Sequence, residues 1–278
     1  MALAQRTRVV NTAALQMCSG DDLQQNLSTV DSMLRDAAAR SCRLAVLPEN
    51  FAFVGVADND KIAHAEVEGT GPIQEFLSDA AKRHGMWLIA GSLPLKAERP
   101  DRCFGASMVF DDQGIRRGCY RKIHLFDVDL PDRNERYRES ASMAPGSEPL
   151  VVDTDIGKVG LSICYDLRFP ELYRKLVDDG AVILTVPAAF TKVTGAAHWH
   201  VLLRARAIEN LAYVIAPAQQ GRHPNGRETF GHSMIIDPWG RILAEQPAGD
   251  GIVLAPIDPA MPGRLRREFP ALQHRRLK

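Results

Sequence analysis

Short apolar runs and amphipathic segments follow one another along most of the chain. The clearest apolar runs cover residues 9–16, 44–47, 159–163 and 181–186. Runs of this length, rich in aliphatic and β-branched residues, are typical of strands buried inside a sheet. Between the first two runs the apolar positions recur at helical spacing, namely Leu23, Leu27, Val30, Leu34 and Ala38. This spacing predicts a helix with one buried face, capped by Asp21 or Asp22.

The pattern predicts further strands and helices in the rest of the chain. Helices are expected at residues 72–84 and 198–210. Strands are expected at 87–92, 213–218 and 251–257, and hairpins join 103–110 to 115–121 and 233–236 to 242–245. The stretches 127–147 and 219–229 are polar and are predicted to be loops, and the tail 264–278 has little periodicity. Strands that alternate with helices favour an α/β fold.

Length and charge limit the kind of protein and the kind of ligand. The chain has 278 residues, 45% hydrophobic and 24% charged, which is enough for one large α/β core. We therefore expect a single domain over residues 1–278. The 34 basic and 34 acidic residues cancel, so we expect no nucleic-acid partner and no membrane partner, but a small-molecule ligand. The basic tail is better explained as a solvated or subunit-packing segment than as a nucleic-acid site.

The cysteine pattern indicates a reducing environment. The five cysteines are Cys18, Cys42, Cys103, Cys119 and Cys164. Their number is odd and none forms a Cys-x-x-Cys pair, so we expect neither a disulfide framework nor a zinc ribbon. The first 17 residues lack the apolar core of a signal peptide, and no apolar run reaches about 18 residues. We therefore expect a cytoplasmic, soluble protein.

Cys164 lies where a predicted strand turns into a helix. The run 159–163 precedes it, and Pro170 marks the first position of the helix that follows. Side chains at the carboxyl end of a strand are where α/β proteins bind ligands, and the backbone N–H groups of the turn point towards developing charge. A thiol there is a candidate nucleophile. The alternative is a small buried hydrophobic residue, but Asp166, Arg168 and Glu171 make the turn unusually charged for that purpose.

Two other predicted strand ends carry charged side chains. Glu49 follows the run 44–47 in apolar surroundings, where a carboxylate needs a partner or a raised pKa, so it is a candidate general base. Lys122 ends the hairpin strand 115–121, where an ammonium group would stabilise an oxyanion. Alternatively, Glu49 is a capping or solvated loop acid and Lys122 an exposed lysine.

The histidines and glycines do not predict a metal or nucleotide site. His124 is better explained as a packed or hydrogen-bonded residue than as a base. His198 and His200 are two positions apart in a predicted helix and point to different faces, which argues against a metal pair. The glycines at Gly69 and Gly71 lack the strand–glycine–helix context of a dinucleotide loop.

The chain resembles the nitrilase, or carbon–nitrogen hydrolase, superfamily along nearly its whole length. The motifs that carry the resemblance are residues 47–50, 120–127 and 160–172, in that order. The resemblance implies a four-layer α-β-β-α sandwich that pairs across a two-fold axis as a homodimer or higher homo-oligomer. It also implies an amidase site of Glu49, Lys122 and Cys164 that needs no metal or organic cofactor.

The resemblance assigns supporting roles to other positions. Glu139 matches the second glutamate of the family, and Tyr165 would supply an N–H to the oxyanion. Arg168 matches an arginine that related amidases place against the substrate's acid group, although an ion pair with a neighbouring acid stays open. Phe190 and Thr191, after the run 181–186, are further candidates for substrate binding.

The substrate is narrowed by resemblance to one branch of the superfamily. Residues 195–210 and 231–240 are most similar to amidases of deaminated glutathione, whereas ω-amidases, which act on 2-oxoglutaramate, are less similar. Family members often carry Glu where this chain has His200, which leaves the role of that position open. A member that binds an amide without turning it over is a second possibility. A papain-like Cys–His pair is a third, but it would leave Glu49 and Lys122 idle.

Overall fold

A computed structural model describes residues 9–130 and 135–277 of the chain. Its strands are β1 (Val10–Gln16), β2 (Cys42–Val46), β3 (Trp87–Ile89), β4 (Leu93–Lys96), β5 (Cys103–Phe110), β6 (Arg116–Arg121), β7 (Asp127–Leu130), β8 (Glu135–Arg138), β9 (Val151–Thr154), β10 (Gly157–Leu161), β11 (Ile183–Thr185), β12 (Tyr213–Ala216), β13 (Gln220–Arg222), β14 (Glu228–Phe230), β15 (Ser233–Ile236), β16 (Ile242–Gln246) and β17 (Gly251–Ile257). Its helices are α1 (Leu23–Ala39), α2 (Pro72–His84), α3 (Pro170–Asp178), α4 (Lys192–Asn210) and α5 (Met261–Glu268).

Most of the strands form two sheets. The first has the order β17-β1-β2-β3-β5-β4, with β6 also paired to β5. The second has the order β16-β15-β12-β11-β10-β9. In each sheet three adjacent strands run parallel, β1-β2-β3 and β10-β11-β12, and antiparallel strands extend them on both sides. The carboxyl ends of the parallel strands therefore define one edge of each sheet.

The alternation of side chains along the strands produces four layers. In β1, Val10 and Ala14 belong to the core between the two sheets, whereas Ala13 and Leu15 belong to the core under α1 and α2. Helices α3 and α4 pack against the second sheet, on β10 and β12. The order helix, sheet, sheet, helix confirms the α/β four-layer sandwich predicted from the sequence. Within the described residues, no helix is both long and apolar enough to cross a membrane.

Several predicted elements agree closely with the structure. Asp22 caps α1 by accepting a hydrogen bond from the N–H of Gln25, and α2 has the predicted bounds. On α1 the buried alanine is Ala37, whereas the predicted Ala38 is half-buried. The hairpin of β5 and β6 and the final strand β17 also lie where the pattern placed them.

Other predictions were wrong, because some segments form hairpins that are held by ion pairs and turns. Such segments show no apolar periodicity in the sequence. The stretch 127–147 is not a continuous loop, because it contains the hairpin of β7 and β8, in which Arg138 pairs with Asp129 at 2.6 Å. Arg133, which was assigned to that loop, lies outside the described residues. The loop at 219–229 likewise contains the hairpin of β13 and β14, and the tail begins with α5. Strand β9 was not predicted.

Helix α4 begins six residues earlier than its apolar positions suggest. Thr191 caps it, with its hydroxyl oxygen accepting from the N–H of Thr194 at 3.2 Å. Gly195 in the first turns lies against Phe230, so closely that a Cβ atom there would be 2.3 Å from the Phe230 side chain. A glycine needed for close packing lowers the helical signal of this segment without preventing the helix.

Candidate active site

Glu49, Lys122 and Cys164 come together from both sheets. Glu49 follows β2, Lys122 follows β6 directly, and Cys164 begins a 3₁₀ turn, Cys164–Arg168, after β10. The backbone of Cys164 has a φ of 50°, in the left-handed region that residues other than glycine seldom occupy. Its N–H donates to the carbonyl of Pro187 at 2.8 Å, which holds this conformation. Such backbone conformations are concentrated at functional sites, because the surrounding structure must sustain them.

Lys122 is a buried cation held between two carboxylates. Its Nζ lies 2.9 Å from Oε1 of Glu49, and 2.8 and 3.0 Å from the two oxygens of Glu139. The lysine side chain is 2% exposed, and those of Glu49 and Glu139 are 7% and 14% exposed. Backbone N–H groups also donate hydrogen bonds to the two carboxyl groups. The N–H of Ala189 donates to Glu49, and the N–H of Phe126 donates to Glu139. We refer to Glu49, Lys122 and Glu139 as the ion trio.

The ion trio keeps Lys122 and Glu139 charged in spite of burial. Burial alone would lower the pKa of Lys122, but the charges of Glu139 and Glu49 raise it well above its ordinary value. For Glu139, burial alone would raise the pKa, yet the charges of Lys122 and Lys61 and the hydrogen bonds from Lys122 and Phe126 hold it below its ordinary value. The site therefore holds the Lys122 ammonium and the Glu139 carboxylate in contact at neutral pH.

The Cys164 thiol is protonated in the resting site. Burial, and next the charge of Glu49, raise its pKa well above the ordinary value, while the charge of Lys122 opposes this shift. A thiol in this state needs a base when it attacks a carbonyl carbon. Glu49 has the carboxylate that most strongly influences the thiol, so the arrangement can supply that base.

Asp166 fixes the turn that carries Cys164, and the sequence did not single out this role. Its buried carboxylate accepts from the Tyr120 hydroxyl at 2.7 Å and from the N–H of Ile163 at 2.8 Å. It also accepts from the N–H of His124 at 3.0 Å, and lies 2.7 Å from the Nδ1 atom of that residue. His124 stacks on Phe169, so it is a packed and hydrogen-bonded histidine as predicted. The sequence signal for this role of Asp166 was limited to its position, as a charged residue between a strand-end cysteine and a helix.

Cys164 lies between two depressions of different character. One, which we call the charged pocket, contains the ion trio and is also lined by Asp58, Lys61, Arg138 and Arg227. The other, the aromatic pocket, is lined by Phe126, Tyr165, Arg168, Phe190, Thr191 and Thr194. Among the residues that the structure describes, Phe126, Cys164 and Ala189 line both. If the carbonyl group of a substrate lies at the thiol, its two substituents therefore enter different pockets.

Arg168 brings a positive charge into the aromatic pocket. Its guanidinium carbon lies 5.3 Å from the ring centre of Phe190 and 5.8 Å from that of Tyr165, and its Nη1 is 3.2 Å from Nδ1 of His198. In the described parts of the chain Arg168 has no ion pair, so neither Glu171 nor Asp166 neutralises it. The local ion pair considered from the sequence is therefore not formed.

Phe190 and Thr191 line the same pocket and have packing roles as well. Phe190 rests on Trp199 with ring centres 4.9 Å apart. Thr191 caps α4, and its hydroxyl is 2.8 Å from that of Thr194. Their positions beside Cys164 depend on α4, whose first turns the sequence pattern did not predict.

His198 and His200 have different neighbours, as their spacing predicted. His198 contacts Arg168, whereas His200 Nε2 lies 2.8 Å from Oε1 of Glu245, which His232 also contacts. The ligand atoms of His200, His232 and Glu245 lie within 4.8 Å of one another, so they form a cluster that could hold a metal ion. This cluster does not line either pocket beside Cys164, and the sequence did not reveal it.

Comparison with known proteins places the chain in one family. The family profile described as carbon-nitrogen hydrolase matches residues 11–267. A protein named deaminated glutathione amidase from Yersinia enterocolitica is 42% identical over 267 residues, which cover 96% of this chain and 93% of that protein. The Nit3 structure of Saccharomyces cerevisiae, described as a member of branch 10 of the nitrilase superfamily, is 30% identical with a TM-score of 0.87, covering 97% of each chain.

A further similar structure is of an amidase whose active site cysteine is modified. It is a mutant amidase from Nesterenkonia sp. AN1, described as carrying acrylamide added at its active site cysteine, and it is 27% identical with a TM-score of 0.79 over 96% of each chain. The similarity in sequence and in fold extends over both sheets. The chain belongs to the carbon–nitrogen hydrolase family of the nitrilase superfamily, and it is an amidase, a hydrolase of carbon–nitrogen bonds other than peptide bonds.

Proposed function

We propose that this amidase hydrolyses deaminated glutathione through a thioester on Cys164, with Glu49 as the general base and Lys122 as the electrostatic stabiliser. Deaminated glutathione has a 2-oxo acid at one end, the scissile amide in the middle and a glycine carboxylate at the other end. The observation that carries a carboxylate-bearing acyl group is the Arg168 guanidinium in the aromatic pocket, next to the thiol, which forms no ion pair among the described residues. Among amides with such an acyl group, the names of the relatives support deaminated glutathione.

In the first half of the reaction Glu49 accepts the thiol proton as Sγ bonds to the amide carbonyl carbon. The carbonyl electrons move onto oxygen, and the Lys122 ammonium and the N–H of Tyr165 stabilise the resulting oxyanion. When the tetrahedral species collapses, its carbon–nitrogen bond breaks and the leaving nitrogen takes the proton from Glu49. The products of this half are a free amine and a thioester.

In the second half Glu49 accepts a proton from water, whose oxygen attacks the thioester carbon. Collapse of the second tetrahedral species breaks the carbon–sulfur bond and returns the proton to the thiol, which releases the acid. Glu139 holds Lys122 in place throughout, because it contacts the ammonium through both oxygens and is itself fixed by the N–H of Phe126. Every proton in this cycle moves through groups that the chain supplies.

The aromatic pocket would bind the acyl half of the substrate. Arg168 is suited to a bidentate contact with the 2-oxo acid carboxylate, because a planar guanidinium presents two parallel N–H groups. Phe190 supplies an apolar face against the acyl chain, and Thr191 supplies part of the wall beside α4. 2-Oxoglutaramate has the same acyl half and a smaller leaving group, so the same pocket fits the substrate of an ω-amidase.

We also propose that the chain pairs through exposed apolar side chains of α4, of the turn between β15 and β16 and of the C-terminal segment. Val201, Trp239 and Phe269 are 68%, 51% and 53% exposed on the isolated chain, and the last two rings contact each other edge to face. Exposed apolar side chains of this size are typical of subunit interfaces. The five unpaired cysteines support a reducing, cytoplasmic location.

A substrate panel tests the proposed function. Purified protein is assayed with deaminated glutathione, 2-oxoglutaramate, simple aliphatic amides and nitriles at equal concentrations. We expect the highest kcat/KM with deaminated glutathione, lower values with 2-oxoglutaramate, and little turnover of amides without a carboxylate. A preference for 2-oxoglutaramate would identify an ω-amidase, and turnover of none would favour a binding protein.

A further inference from the structure

Lys61 is a cation in the charged pocket without a carboxylate partner. It lies on the 3₁₀ turn Asp60–His64 and is half-buried. Its Nζ contacts the sulfur of buried Met143 at 3.5 Å, and no ion pair of Lys61 occurs in residues 9–130 and 135–277. A thioether is a weak hydrogen-bond acceptor and carries no charge, so it does not neutralise an ammonium group.

The other cations that line this pocket are each in an ion pair. Lys122 is held by Glu49 and Glu139 in the ion trio. Outside the trio, Arg227 pairs with Asp58 at 2.9 Å, and Arg138 pairs with Asp129 at 2.6 Å.

With two carboxylates and one ammonium the ion trio has one carboxylate in excess, and the charge of Lys61 acts on Glu139 without a direct ion pair, so the Lys61 ammonium stays open to a ligand. A negatively charged group entering the charged pocket would find this ammonium without having to break an existing ion pair. Breaking an existing ion pair would weaken binding of the ligand, because the group that lost its partner would remain partly buried and unpaired.

The direction of proton transfer decides which half of the substrate enters the charged pocket. The leaving nitrogen must take its proton from Glu49, which lines the charged pocket and not the aromatic pocket. The acyl half then extends from Cys164 towards Arg168, and the leaving amine extends towards Lys61. The two ends of one substrate therefore meet two different cations.

We infer that Lys61 binds the carboxylate of the leaving amine. This inference rests on the proposed function, in which the leaving amine is a dipeptide with a free terminal carboxylate. Two extended residues span at most about 7 Å, which sets how far that carboxylate reaches from an amide carbonyl at Cys164, and Cys164 and Lys61 line the same pocket. Lys61 is then a specificity residue for the leaving group, as Arg168 is for the acyl group.

Lys61 has a second possible effect, which the experiment must separate from the first. Its charge helps to lower the pKa of Glu139, so removing it could weaken the hold of Glu139 on Lys122. That effect would act on the chemistry of every substrate alike. A contact with the leaving-group carboxylate acts only on substrates that have one.

The test uses two substrates that differ in this single charge. They are deaminated glutathione and the same compound with its glycine carboxylate converted into a carboxamide. We compare kcat/KM for both in the wild type, Lys61→Met, Lys61→Arg and Lys82→Met. Lys82 is an exposed lysine on α2, so Lys82→Met controls for loss of a lysine charge elsewhere on the chain. Melting temperatures check that each variant is folded.

We expect the wild type and Lys82→Met to prefer the carboxylate substrate by about tenfold or more, as a charge-assisted hydrogen bond would give. Lys61→Met should lose that preference, mainly through a higher KM for the acid, and Lys61→Arg should keep part of it. An unchanged preference in Lys61→Met, or none in the wild type, overturns the assignment of Lys61. Failure of the proposed function is a different result, in which the wild type cleaves 2-oxoglutaramate but neither member of the pair. In that case the substrate has no dipeptide leaving group, so the assignment of Lys61 is overturned too.

Discussion

Replacing Lys122 with methionine should destabilise the fold as well as abolish turnover. The substitution removes the cation of the ion trio and leaves Glu49 and Glu139 facing a neutral side chain of similar length, with both carboxylates largely buried. Removal of one partner from a buried ion pair costs about 3–5 kcal/mol of unfolding free energy, because the remaining charge is uncompensated. We expect a loss of this size at pH 8 in urea unfolding followed by circular dichroism.

The loss should depend on pH in a defined direction. In the wild type the pKa of Glu139 is lowered, so its stabilisation is present above the unfolded-state pKa of about 4.3 and disappears as pH falls through the folded-state value. In Lys122→Met the cation that lowers this pKa is gone, and burial raises it. One carboxyl can then take up a proton, so the deficit of Lys122→Met should shrink between pH 8 and about pH 5.5.

A double variant supplies the matched control. Glu139→Gln keeps the shape of the side chain and removes one carboxylate charge, so Lys122→Met with Glu139→Gln should recover much of the lost stability without recovering turnover. Equal unfolding free energies for the wild type and Lys122→Met at pH 8 would refute the description of Lys122 as a buried cation that compensates the charge of Glu139. So would a deficit that does not change between pH 8 and pH 5.5.

Two further predictions concern substrate choice and metal dependence. Arg168→Ala should lower kcat/KM for amides with an acyl-side carboxylate by about 1.5–3 kcal/mol in activation free energy, hardly affect neutral amides, and be only partly rescued by Arg168→Lys, which lacks the planar fork. Equal losses on acidic and neutral amides would mean that Arg168 supports the turn and does not select the substrate. Activity should also survive prolonged treatment with EDTA, since protein groups supply the base, the nucleophile and the oxyanion donors. Inactivation by EDTA that one divalent metal reverses would contradict this.

Much of the active site could be predicted because its members stand at the ends of strands. Glu49 and Cys164 each follow a segment whose apolar run is visible in the sequence, and parallel strands present their carboxyl ends at one edge of a sheet. Lys122 follows a polar strand of an antiparallel hairpin, whose turn was the visible signal. The resemblance to a known family then gave the three positions a common role. Their convergence across two sheets, however, depends on how the sheets face each other, which periodicity alone does not determine.

The parts that were missed depend on contacts between residues distant in the sequence. Asp166 was recognised as a charge near the nucleophile, but its function follows from Tyr120 and His124, more than 40 residues earlier. Helix α4 was predicted too short because Gly195 packs against Phe230, a requirement that appears only once β14 is in place. Local propensity reports neither kind of constraint.

The thioester proposed between Cys164 and the acyl half of the substrate can be trapped, which tests the mechanism at its covalent step. The wild type and Cys164→Ala are mixed with deaminated glutathione, quenched in acid within the first turnovers, and analysed by intact mass spectrometry and peptide mapping. We predict that the wild type gains the mass of one 2-oxoglutaryl group on the peptide that contains Cys164. Cys164→Ala should stay folded and bind the substrate, but gain no mass and show no turnover. Comparable turnover by Cys164→Ala, or an acyl group on any other residue, would contradict the mechanism.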